Sequence, residues 1–226
     1  MKNLFLTLSL YVICQLTGFA QAVAPTPFIT TWKSDNAGSA PTQLVLPISG
    51  ADFQIHWWLK SDSAQVNGSE IAGGLTSSYT INLPQSGVYG VAVSKGAGAV
   101  SSIRFSNTGD KLKLMEVNQW GNNPWTSMQE AFDGCTNLTI LATDIPDLSQ
   151  AADLSFMFGR CSSIALIPNI ENWDVSTVTD MSWMFYNAAA FNQSLNNWNV
   201  SNVINMRAMF YNAATFNQTL NHWDVG

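Results

Sequence analysis

Trp173-Asp174-Val175-Ser176-Thr177-Val178-Thr179-Asp180-Met181-Ser182-Trp183-Met184-Phe185-Tyr186-Asn187-Ala188-Ala189-Ala190-Phe191-Asn192-Gln193 decides how the rest of the chain is read. It returns as Trp198-Asn199-Val200-Ser201 through Phe216-Asn217-Gln218, and Trp223-Asp224-Val225 opens a third copy. The period is 25 residues, and 16 of 25 aligned positions in the first two copies are identical. A fixed period of this length marks one supersecondary unit stacked on the next, because no single unit buries its apolar face alone. Such an array points to a binding or display surface and away from a single catalytic pocket.

Within a copy, Val178, Met181, Met184-Phe185 and Ala188 recur every three or four residues. That is the spacing of an apolar stripe on a helix or on 3-10 turns. Ser176 or Thr177 is placed to cap its start, and Asp180 suits the positive end of a helix dipole. Phe191 to Leu195 reads as a short extended segment, and Leu138-Thr139-Ile140-Leu141 is its counterpart with better strand composition. The expected unit is therefore a short strand, a turn around the Trp and a short helical return. Successive strands would pair in parallel, about 4.8 Å apart.

Traced backwards, the register aligns Met128 and Phe132 with Leu154 and Phe158, Met181 and Phe185, and Met206 and Phe210. Trp120, Pro146, Trp173 and Trp198 precede them at a constant distance. The reading gives about four units, the first two degenerate, with the first suited to cap the array or dock on what precedes it. Extra residues fall near Ser162 to Asn169. The last copy stops at Gly226 with no capping sequence, so the array reads as truncated there.

Residues 25–108 alternate rather than repeat. Gln43 to Leu46, Phe53 to Trp57, Tyr79 to Leu83 and Val88 to Val93 read as short strands. Ser49-Gly50, Asn67-Gly68, Gly73-Gly74 and Ser86-Gly87 read as the turns between them, and Ser94 to Ser102 as a loop. Short strands at this spacing imply a β-sandwich. The start of the chain has Lys2, an apolar run from Leu4 to Leu16, and small-x-small sites at Gly18-Phe19-Ala20 and Ala20-Gln21-Ala22. Residues 1–22 therefore read as a signal peptide and imply export. The run is too short to span a bilayer, and no later stretch is apolar enough to do so.

Charged residues make up 11% of the chain and the net charge is −6. Both weigh against nucleic acid, which needs a basic patch, and against anionic lipid. Cys135 and Cys161 lie 26 residues apart, near one period. They fit either a disulfide between neighbouring units or two small residues filling the slot of Ala188 and Ala213. His56 and His222 are too far from them in sequence to suggest a zinc site. Asp144, Asp147 and Asp153 lack the acidic-glycine pattern of calcium-binding repeats. No carboxylate pair, nucleophile set or phosphate loop emerges, so no catalytic residue, metal or cofactor is assigned.

The motif at 173–193, repeated with small changes at 198–218, resembles the BspA-like leucine-rich-repeat surface proteins of bacteria. Ala131-Phe132-Asp133-Gly134-Cys135-Thr136-Asn137-Leu138 is similar to the Ala-Phe-x-x-Cys-x-x-Leu core of the same class. Phe53 to Trp58, with Ser86 to Val93, resembles a PKD-type immunoglobulin-like domain, although Trp57 to Asp62 lacks that family's glycine-rich turn. Together these imply a mixed fold: an N-terminal β-sandwich at 25–108, then a leucine-rich-repeat-like α/β solenoid at 117–226. They also imply a secreted or bacterial cell-surface protein, not an enzyme, that adheres to protein or glycan ligands on host or neighbouring cells. Repeat positions that vary between copies are the candidate binding surface, above all Trp183, which faces Ala208 in the alignment, and Arg207, which faces Ser182. The alternative is a carbohydrate-binding module acting through Trp57 or Trp58. These point to opposite faces of one strand, so one is expected in the core and the other in solvent.

Overall fold

In the computed structural model the described residues are 26–64, 67–72, 77–96 and 98–225. The signal-peptide assignment to residues 1–22 lies outside them, as does the Gly73-Gly74 turn. Ten strands run in chain order as β1 (Phe28–Lys33), β2 (Gln43–Leu46), β3 (Ile48–Gly50), β4 (Phe53–Leu59), β5 (Asn67–Ala72), β6 (Tyr79–Asn82), β7 (Val88–Ser94), β8 (Val100–Ile103), β9 (Leu114–Gln119) and β10 (Thr139–Ile140). A six-stranded sheet has the order β10-β9-β1-β7-β4-β5, and β2-β6 and β3-β8 form two-stranded ribbons.

Alternation sets the inner face of the sheet. Along β4, Phe53, Ile55, Trp57 and Leu59 are buried while Gln54 and His56 are exposed. Phe28 and Trp32 on β1, and Tyr89, Val91 and Val93 on β7, join them in one core with Leu44, Ile48 and Ile103 of the ribbons. Asn67-Gly68 lies at the start of the edge strand β5 rather than in a turn. It pairs with Trp57 and Trp58 of β4, and the Trp57 indole lies over Gly68, where a Cβ would overlap it. A buried ion pair fastens the loop at 36–45 to this body. The Lys113 ammonium donates to the carbonyls of Ser39, Ala40 and Gln43 at 2.9–3.0 Å and lies 3.8 Å from Asp110. Asp110 in turn accepts from the Ser39 and Val45 amides.

The expected α/β solenoid is not what the repeats build. The described residues contain no α-helix, only a three-residue 3-10 turn at Ile170–Asn172, and nearly all regular structure is strand. Each copy is instead a coil of consecutive tight turns. Within the third coil, Met184 donates to Met181, Tyr186 to Trp183, and Ala188 to Phe185, at 3.0–3.3 Å. The alternate amides leave the coil: Met181, Trp183, Phe185 and Asn187 donate to Asn205, Arg207, Met209 and Tyr211 of the next, at 2.9–3.0 Å. The second coil bonds to the third in the same way, through Leu154, Phe156, Phe158 and Arg160. A helix would send all these amides to carbonyls four residues earlier. Left-handed residues forbid that path. Glu130, Phe156, Trp183 and Ala208 have φ of 53°, 53°, 59° and 53°, and Gly134, Arg160, Asn187 and Asn212 have 79°, 59°, 55° and 57°. The three-to-four spacing of apolar residues comes from turns that return each one to the interior, and turns and a helix share that spacing. The extended segment expected at Phe191 to Leu195 is likewise not a strand. β10 is the one regular strand contributed by the coils, supplemented by isolated parallel bridges at Pro124–Asp147, Asp153–Asp180 and Asp180–Asn205.

Asp174 explains the recurring start of the motif: its carboxylate accepts from the Ser176 amide at 3.0 Å, and Asn199 and Ser201 repeat the turn. Inside, Phe132, Phe158, Phe185 and Phe210 form a single column, with ring centroids 5.6, 5.8 and 5.7 Å apart and planes within 17° of parallel. β9, which straddles the start of the expected repeat region at 117, pairs antiparallel with β1 and parallel with β10 of the first coil. Phe105 and Asn107 donate to Glu130 and Asp133 and so cover the upper side of that coil. Sheet and coils thus share one core, from Phe28 to Met209. At the opposite end, Met206, Met209, Phe210, Leu220, Trp223 and Val225 line an open groove of about 370 Å³.

Candidate functional site

The left-handed turns set the composition of one face of the coils. The residue at the first left-handed position points away from the core, and in the second and third coils it is aromatic. The Phe156 and Trp183 rings stack 5.6 Å apart with planes at 8°. Tyr186 sets its edge against both, 6.2 Å from Phe156 and 5.1 Å from Trp183. Tyr211 continues the column 5.8 Å from Tyr186 and 6.1 Å from Trp183. Tyr211 is 62% exposed, while Phe156, Trp183 and Tyr186 are half-buried.

Two guanidinium groups complete this ladder. Arg160 lies 5.6 Å from the Phe156 centroid and 5.0 Å from that of Tyr186. One of its terminal nitrogens, Nη1, also donates to both carboxylate oxygens of Asp133, at 2.7 and 2.8 Å. Burial pushes the Asp133 carboxyl above the usual carboxylate range, and the Arg160 hydrogen bonds offset part of that rise. Arg207 lies 5.8 Å over the Trp183 ring. Among the described residues its guanidinium has no hydrogen bond or ion pair. At the other end Glu130 accepts from Arg104 at 3.0 Å and from Ser106. Burial raises the Glu130 carboxyl, but those hydrogen bonds and Arg104's charge hold it below its ordinary value.

The structure therefore brings Trp183 and Arg207 into contact. It does not join them to Trp57 and Trp58, which lie on β4, separated from β10 of the first coil by three strands. Trp57 is buried, edge-on to Tyr89 at 5.9 Å. Trp58 is half-buried on the other face, beside His56 with centroids 5.7 Å apart and planes at 27°. Its indole lies over Gly90, where a Cβ would overlap it. Cys135 and Cys161 are fully buried free thiols. Burial pushes both thiols up, and Cys161 donates to the Phe132 carbonyl at 3.0 Å.

The three aspartates weighed for calcium each serve a turn. Asp144 accepts from the Trp120 and Gly121 amides at 3.0 and 2.8 Å, Asp147 from Ser149, and Asp153 from Ser155. His222 donates its amide to Asn196, and its Nδ1 lies 3.1 Å from the Asn196 amide nitrogen. Sequence reasoning missed Phe156, Arg160, Tyr186 and Tyr211. A signal was present: Phe156 and Trp183 each stand immediately before Met-Phe, at a position the apolar stripe leaves unused.

Residues 126–226 match a protein-family model described as "Mycoplasma protein of unknown function, DUF285", so the coils are similar to that family and the β half lies outside the match. No curated protein and no solved structure matches the chain. Among the described residues, no helix is long and apolar enough to cross a membrane.

Proposed function

We propose that this is an exported, non-catalytic adhesion protein that binds a protein surface on host or neighbouring cells through the ladder of Phe156, Trp183, Tyr186, Tyr211, Arg160 and Arg207. The observation that carries the reading is the composition of that face. Trp, Tyr and Arg dominate the energetics of protein interfaces, and here they are gathered on one side and held by neighbouring coils. Non-glycine residues at φ near 55° cost about 1–2 kcal/mol each, and the ladder holds Phe156 and Trp183 there. Strain of this kind, kept at a surface, is common at binding sites. The resemblance to BspA-like surface proteins and the signal-peptide pattern support the same reading.

The test is adhesion of the purified protein to extracellular-matrix proteins and to partner cells, with Trp183→Ala and Arg207→Ala compared after their folds are checked. Loss of adhesion in both variants is expected. Unchanged adhesion in two folded variants would end the assignment. A second reading rests on Trp58, whose indole lies flat over Gly90 beside His56 and forms a platform of the kind that stacks on sugar rings. Retention on a glycan array that Trp58→Ala abolishes, without adhesion to protein, would favour it.

A further inference from the structure

Resting on the ladder as the binding face, we infer that it reads carboxylates, and that its ligand is an acidic peptide segment of the partner protein anchored on Arg207. The charges on the face divide unequally. Arg160 is neutralised by Asp133, and Glu130 by Arg104. Arg207 lies 5.8 Å over the Trp183 ring, and among the described residues its guanidinium has no hydrogen bond or ion pair. An aromatic face under a guanidinium fixes its plane and leaves its edge free for bidentate contact, the geometry that suits a carboxylate.

The rings around Arg207 carry the same sign. Trp183 stacks on Phe156 of the coil before it, at 8°, and Arg207 of the coil after it lies 5.8 Å from its ring, so the coil order sets the two on opposite faces. Its outward part is therefore its edge, and the edge of an aromatic ring is the positive part of its quadrupole. A ring with both faces covered offers no plane for a sugar to stack on, which favours a peptide over a glycan here. The hydroxyls of Tyr186 and Tyr211 have no hydrogen-bond partner among the described residues. The Tyr211 ring lies 6.1 Å from Trp183, the ring that Arg207 overlies, and we take its hydroxyl as the second donor tested below. The net charge of −6 opposes nonspecific attachment of an acidic partner, so its binding depends on a specific basic anchor such as Arg207.

The probe is a set of immobilised hexapeptides in pairs that differ only by Glu or Gln. Binding of the labelled full chain is measured, with Arg207→Gln, Arg207→Lys and Tyr211→Phe alongside. Arg207 and Tyr211 are both exposed, and thermal melting checks that each variant folds. The wild type is expected to prefer the Glu peptides. Arg207→Gln should remove about ten- to a hundredfold of that binding, the range for a charge-assisted hydrogen bond. Arg207→Lys should keep only part of it, because an ammonium cannot make the bidentate contact. Equal binding to Glu and Gln peptides, binding to neither, or full retention by Arg207→Gln overturns the inference. If Trp183→Ala still abolishes adhesion to cells in any of those cases, the ladder stands as a binding face and only the carboxylate assignment falls. Selective binding of uronate-containing glycans with no Glu preference would also overturn it.

Discussion

Phe185→Ala tests whether the coils are held by the aromatic column. Phe185 is fully buried, with Phe158 at 5.8 Å on one side, Phe210 at 5.7 Å on the other, and Phe191 stacked at 4.0 Å. Removing the ring forfeits about 1.5–3 kcal/mol of apolar transfer. It also opens roughly 100 Å³ of space, worth about 2 kcal/mol at about 24 cal/mol per Å³ if the site does not collapse. Three ring partners then lose their stacking, at about 0.5–1.5 kcal/mol per pair beyond burial. Collapse returns some of this, so the expected cost is about 4–5 kcal/mol. Phe210→Ala is the internal control. Phe210 is half-buried, so its loss should cost about half as much. The assay is urea unfolding of both variants, together with hydrogen exchange at the Met181, Trp183, Phe185 and Asn187 amides that bond to the last coil. Phe185→Ala should raise exchange at all four. Equal costs for the two variants, or a cost for Phe185→Ala below about 1.5 kcal/mol, would refute the column as the main support.

Asn187 distinguishes turns from helix by the sign of an effect. It has φ 55° and accepts from Asn212 at 2.6 Å. Asn187→Ala should therefore cost about 1–2 kcal/mol more than Asn187→Gly in thermal melting, the reverse of the order in a helix. Lys113→Met should cost about 3–5 kcal/mol in urea unfolding, because Asp110 is left as a buried charge. Acid should weaken the fold. For Asp180, burial raises the carboxyl but hydrogen bonds from Ser182 and Asn205 outweigh it; for Asp174, hydrogen bonds from Ser176 lower it; Glu130 is lowered as described. An acid lowered in the folded state contributes stability above its unfolded value, near 3.8 for Asp and 4.5 for Glu, and loses it as pH falls through the lower folded value. Asp133, raised, acts in the opposite sense. Melting temperature should thus fall with pH from about 5 toward 3, and Asp180→Asn should flatten that slope.

The repeat alone fixed the period, the register and the membership of the Phe132, Phe158, Phe185 and Phe210 column. These follow from which residue types recur, and apolar side chains at equivalent positions face the same interior whatever backbone carries them. Alternation likewise marked β2, β4 and β6, because a half-buried strand writes its two faces into every second residue, and β7, buried on both faces, was marked by its run of apolar and β-branched residues. The path of the backbone between apolar residues was decided elsewhere. A helix and a chain of turns place Val178, Met181, Phe185 and Ala188 inward at the same spacing. The choice depends on where the amides of Met181, Trp183, Phe185 and Asn187 find their acceptors, and those belong to the next coil. The ladder was half legible for the same reason. Trp183 and Arg207 stood out as variable positions, but Phe156, Arg160, Tyr186 and Tyr211 join them only through left-handed turns and stacked coils. The pairing of β1 with both β7 and β9, and the continuation of that sheet into β10, also required the folded chain. Contacts between residues far apart in sequence satisfy backbone groups that no local pattern assigns, and here those contacts chose turns over helix.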